Sequence, residues 1–173
     1  MKRVLFSLWI MAVIIAFTGI ASAQANPRET VKLALKGGAV SVEYGRPSLK
    51  GRSAQQLLGQ LGQGEVWRLG ADKSTTFTTG ADLVFGTLTV PKGEYSLFAR
   101  KEAGGWKLVF NKQHGQWGTE HDAKQDLGST PLTESKGAKS EEMVTIKLAK
   151  EGDGGSITIQ WGDQLLSASF KAK

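Results

Sequence analysis

Two short stretches of this chain gather the side chains best suited to hold an anion. EYGRPSLKGR, residues 43–52, carries Arg46, Lys50 and Arg52, and VWRLGADKSTT, residues 66–76, carries Arg68. A guanidinium fork matches the two oxygens of a carboxylate, sulfate or phosphate with parallel hydrogen bonds. Thr75 and Thr76 would add hydroxyls, Tyr44 a phenol, and Trp67 a flat apolar surface beside Arg68. If the two stretches meet, Tyr44, Arg46, Arg52, Trp67, Arg68, Thr75 and Thr76 form a binding surface for an anionic or glycan ligand. The competing reading is structural: Arg46 and Arg68 pair with Glu43, Glu65 or Asp72 and tie loops to a sheet.

A second set is aromatic. Trp67, Trp106, Trp117 and Trp161, with Tyr44 and Tyr95, suffice for a platform on which sugar rings stack. Trp106 and Trp161 sit in alternating apolar stretches and read as core. Trp117 lies in the polar run KQHGQWGTEHDAKQD, residues 112–126, where burial is least expected, and joins the ligand-binding candidates. The same run holds His114, His121 and Asp122, with Glu120 beside them. These are the right groups for zinc, yet six residues separate the histidines, which fits none of the compact zinc motifs, and a third ligand would have to come from elsewhere. The chain has no cysteine nucleophile, no G-x-S-x-G elbow and no phosphate-cradling G-x-x-x-x-G-K-[ST] loop. Serine or carboxylate catalysis by distant residues stays open, and no cofactor is implied.

The elements that must position these groups are mostly strands. VKLAL (31–35) and AVSVEY (39–44) alternate around Gly37 and Gly38, which predicts a hairpin. SAQQLLGQL, from Ser53, spaces Ala54, Leu57, Leu58 and Leu61 as a short helix behind a serine cap. EVWRLG, STTFTTG and LVFGTLTV are rich in β-branched residues. EYSLFAR and WKLVFN flank KEAGG as a second hairpin, residues 112–126 form a long loop, and EEMVTIKLA, GSITIQW and LLSASF close the chain as strands. Pro47 forces Arg46 out of the α region, so the 43–52 stretch is a stiff turn rather than a floppy one. About nine strands, one short helix and no βαβ alternation predict an all-β antiparallel β-sandwich in one domain, residues 24–173.

The ends and the composition narrow the setting. Lys2 and Arg3, an apolar run, and Ala21-Ser22-Ala23 are the parts of a signal peptide, so residues 1–23 should be removed after Ala23 and the mature protein should be periplasmic or secreted. Without cysteine there is no lipidated anchor and no disulfide, and after cleavage no stable membrane insertion is expected. Removal of Lys2 and Arg3 leaves 20 basic against 16 acidic residues, a net +4. That mild, scattered excess argues against nucleic acid and serves solubility, with outer-membrane lipid or acidic glycan as the reasonable acidic partners.

Residues 40–118 resemble a family of exported bacterial proteins catalogued only as a domain of unknown function. The likeness rests on VEYGRPSLKGR, GEVWRLGADKSTTFTT, LTVPKGEYSLFA and WKLVFNKQHGQWG in that order, and extends more loosely to the C-terminal strands. It implies a secreted or periplasmic β-sandwich and supplies no activity. Members usually carry asparagine where this chain has Asp72, which would set a carboxylate beside Arg68 if both faced one pocket. The expectation is therefore a non-catalytic exported protein binding an anionic or carbohydrate ligand where the 44–52 and 66–76 stretches join. The alternatives are a metal-assisted hydrolase of envelope material built on His114, His121 and Asp122, and a structural envelope partner that lends an edge strand. Oligomeric state is not legible.

Overall fold

The computed structural model describes residues 26–173, so the expected signal peptide lies outside the described residues. Alternation of side chains drives the architecture. In β1 (Arg28–Leu35) and β2 (Gly38–Gly45), every second residue turns inward, and Val40, Val42 and Tyr44 are fully buried. The two strands pair antiparallel from Arg28 against Gly45 to Leu35 against Gly38, around a turn at Lys36-Gly37 in which Gly37 has φ 95°. After a six-residue helix α1 (Ala54–Gly59) come β3 (Val66–Trp67), β4 (Thr75–Thr79), β5 (Leu83–Phe85), β6 (Leu88–Val90), β7 (Gly93–Glu102) and β8 (Gly105–Asn111). Two long strands, β9 (Asp126–Glu151) and β10 (Gly154–Ala172), complete an all-β antiparallel sandwich of ten strands.

The strand order is β1-β2-β4-β7-β8-β9-β10-β5-β6, with β3 added to β7. β9 links the two layers. Residues 126–132 pair with β8, whereas from Thr133 onward the strand pairs with β10. Its far part crosses over β2, where the Tyr44 hydroxyl meets the Ile146 backbone. Only the stretch 141–149 and two separate C-terminal strands were expected here. Gly128, Pro131 and Gly137 disguise the first half of β9 as loop, but Pro131 sits opposite Lys107 and the pairing with β8, then with β10, overrides the local preference. Register shifts between Gln160 and Gln164 let β10 stay continuous across its bend.

Two aromatic groups hold the layers together. Phe77, Phe85, Phe110 and Phe170 interlock in the middle, with ring centroids 4.9–6.2 Å apart. Near α1, Trp67 stacks on Trp161 at 5.8 Å and meets Trp106 edge-on at 6.4 Å. Each such ring, fully buried, stabilises the fold by roughly 1.5–3 kcal/mol. α1 is short and is fixed by its start: Ser53 accepts from Gln56 N while Gln56 Oε1 accepts from Ser53 N, and Ala54 and Leu58 reach the core. Among the described residues no helix is long and apolar enough to cross a membrane.

Candidate functional site

The 43–52 stretch is a turn fastened to β9. Leu49 N donates to Glu142 O at 2.9 Å, Val144 N to Pro47 O at 3.1 Å, and Lys50 N to the Glu142 carboxylate at 2.8 Å. Arg46 is spent on the same attachment. Its Nε donates to Val144 O at 3.0 Å, one terminal nitrogen to Thr145 Oγ1 at 3.0 Å, and the other pairs with Glu29 at 2.9 Å. Tyr44 is buried beneath it, and its hydroxyl accepts from Ile146 N at 2.9 Å. Loss of hydration raises the Tyr44 pKa above its ordinary value, opposed by the Ile146 hydrogen bond and reinforced by the nearby Glu29 carboxylate.

The 66–76 stretch passes so close to this turn that side chains are excluded between them. A Cβ on Gly45 would land on the Ala71 carbonyl oxygen, and one on Gly70 would stand 2.9 Å from Thr75 Oγ1 and 3.0 Å from Gly45 O. The two segments are thereby locked backbone to backbone, which the spacing alone could not reveal. Leu69 (φ 56°) and Asp72 (φ 62°) both adopt the left-handed conformation, costly for leucine and easier for Asp or Asn. The Asp72 carboxylate accepts from the Asn26 backbone and side-chain nitrogens at 3.2 and 3.3 Å. It makes no ion pair with Arg68. Thr75 is buried and its hydroxyl donates to Arg68 O at 3.1 Å, while Thr76, on the opposite face of β4, is half-buried.

Between these segments and α1 lies a cleft of about 460 Å³. Pro47, Ser48 and Arg52 form one wall, Leu57 and Leu58 of α1 with Leu61 just after it a second, and Val66 to Arg68 with Gly118 and Thr119 a third; Trp161 also lines it. Both charged residues of the lining are arginines. Arg52 Nε donates to Leu49 O at 2.9 Å, so that guanidinium is held in place, and its terminal nitrogens make no hydrogen bond among the described residues. Arg68 is half-buried, its stem against Gly118, and among the described residues its side chain has neither a carboxylate within 4 Å nor a hydrogen bond. The Trp161 N–H is buried without an acceptor among the described residues.

Of the sequence candidates, Arg52, Trp67 and Arg68 thus line one cleft, with Trp67 largely buried in its floor. Tyr44, Arg46 and Thr75 are built into the frame around it, and Thr76 is turned to the other face. Trp117 is 51% exposed and is not part of the lining, although the next two residues are. The helix leucines, Gly118 and Thr119 were not expected at a site. The SAQQLLGQL stretch carried a signal: Leu57, and Leu61 just past the end of α1, widen the apolar stripe beyond what Ala54 and Leu58 bury.

The histidines go elsewhere. His121 Nε2 lies 2.9 Å from Asp126 Oδ1 with its ring against Phe98, whereas His114 pairs with Glu94 at 3.4 Å. The Asp122 carboxylate accepts from Lys124 N at 3.0 Å. Asn111 Nδ2 also donates to Asp126 at 2.8 Å, and Ser96 Oγ to Gln113 O at 2.6 Å, so residues 112–126 are stitched across the outer face of the sheet. No group of three or more His, Cys, Asp or Glu positioned for a metal ion occurs among the described residues.

Residues 26–170 match the family described as "Protein of unknown function (DUF2911)", and the chain belongs to that family. No curated protein and no solved structure matches it.

Proposed function

We propose that this chain is an exported binding protein, not a catalyst, whose ligand is an anion held at the cleft between the 43–52 turn, the 66–76 segment and α1. The observation that carries this reading is Arg68. A half-buried guanidinium without a partner among the described residues, lining the same cleft as a second arginine whose terminal nitrogens make no hydrogen bond among those residues, is a charge arrangement that an incoming carboxylate, sulfate or phosphate completes. The lining holds no carboxylate to compete for it. Export rests on the leader-like residues 1–23, and the absence of cysteine is compatible with it.

The test is calorimetric titration of the purified protein with a panel of carboxylate, sulfate and phosphate compounds, comparing wild type with Arg68→Ala and Arg52→Ala. The expected result is binding that weakens about tenfold in each variant and falls with added salt. A panel in which no anion distinguishes Arg68→Ala from wild type overturns the reading. Export is checked separately by mass spectrometry of the secreted or periplasmic protein, which should begin at Gln24.

A further inference from the structure

An anion site must also accommodate whatever the charged group is attached to, and the lining of this cleft is selective about that. Seven of its 13 residues carry apolar side chains, contributed by Pro47 of the turn, the three leucines in and just after α1, Val66 and the two tryptophans. Apart from the arginines, the only polar side chains are Ser48 and Thr119. There is no carboxylate and no carboxamide. A sugar carries hydroxyls around its ring, and each one buried without a partner costs about 1–3 kcal/mol. Two hydroxyls cannot satisfy them. Nor is there a free indole face of the kind sugars stack on: Trp67 and Trp161 lie 11° from parallel against each other, each only 8% exposed.

We infer that the occupant is a single amphipathic anion, a carboxylate or phosphate monoester on an alkyl or acyl body. This rests on the reading of the cleft as an anion site and goes further by naming the body. The head would pair with Arg68 and Arg52, and the chain would lie along Leu57, Leu61 and Trp67. The half-buried state of Leu57 and Leu61 leaves apolar surface that such a chain would cover, at about 25 cal/mol for each Å² removed from water. The cleft volume of about 460 Å³ falls inside the roughly 300–1,000 Å³ range of small-molecule sites and is too small for a polymer.

Octanoate and octyl phosphate, kept below their micellar concentrations, provide head and body together. Acetate and inorganic phosphate supply the head alone, 1-octanol the body alone, and glucuronate a head on a sugar. Titrations followed by calorimetry and tryptophan fluorescence should show the octyl anions binding at least tenfold tighter than any other probe. Arg68→Ala should weaken them about tenfold, and so should Leu61→Gln, with an unchanged melting temperature confirming that both variants fold. If glucuronate or phosphate binds as tightly as the octyl anions, with the same dependence on Arg68, the amphipathic body is refuted and the anion site stands. If octyl anions bind equally to wild type and Arg68→Ala, the head-group pairing is refuted. If no probe binds in an Arg68-dependent way, both this inference and the anion reading fall.

Discussion

Arg46 and Arg68 stand in adjoining segments whose backbones touch, yet they do opposite things. Arg46 spends its guanidinium on Glu29, Val144 O and Thr145 and thereby fastens the 43–52 turn to β9. Arg68, a short distance away on the locked 66–76 segment, projects along the cleft with no partner among the described residues. The contrast teaches that a rigid frame and an available charge are separate requirements. The first arginine helps build the frame; the second is presented by it.

The most severe way to break the comparison is to separate the segments. Gly45→Ala puts a methyl group on the Ala71 carbonyl, and the resulting backbone shift should cost about 3 kcal/mol. Urea denaturation measures it; a variant as stable as wild type would mean the segments are not locked. Tyr44→Phe should come next. It leaves Ile146 N–H buried without its acceptor, at about 2 kcal/mol, while the ring still packs. Arg46→Ala should cost about 1 kcal/mol, since its contacts are partly exposed to solvent, whereas Arg68→Ala should change stability by less than about 0.5 kcal/mol. Parallel melts of the two alanine variants sharpen the comparison directly, and equal losses would erase it.

The smallest effect expected is on pH dependence. Burial raises the Tyr44 pKa in the folded state, so the phenol resists ionisation there more than in the unfolded chain. Its contribution is fully present below the ordinary tyrosine value of 10.0 and is lost as pH rises through the higher folded value. Tyr95, also raised by burial and by Asp82, acts in the same direction. Tyr44→Phe should therefore show a shallower loss of stability between neutral and strongly alkaline pH than wild type. Identical slopes in denaturation titrations would place the Tyr44 hydroxyl in water.

Much of the fold is legible because alternation and turn chemistry are local. VKLAL and AVSVEY predict β1 and β2, EYSLFAR and WKLVFN predict β7 and β8, and Ser53 marks the start of α1. The first half of β9 is not legible, since Gly128, Pro131 and Gly137 each speak against a strand and only the partners β8 and, from Thr133 onward, β10 outweigh them. The site is legible in outline. Arg52, Trp67 and Arg68 can be proposed from residue type, and Arg52 also from the stiffness of the 43–52 turn. That Leu57, Leu61, Gly118 and Thr119 share the cleft with them depends on how α1 and the 112–126 segment lie across the sheet.

By itself, the order of residues determined the all-strand architecture, the capped helix and the stiff 43–52 turn, because each follows from interactions among near neighbours in the chain. Only the tertiary structure decided which guanidinium is bound and which is available. Arg46 is paired by Glu29 and by Val144 and Thr145, about a hundred residues away, and Arg68 meets no carboxylate because Asp72 turns to Asn26. Charge pairing acts over a few ångströms of space, and distance along the chain does not specify which groups come that near.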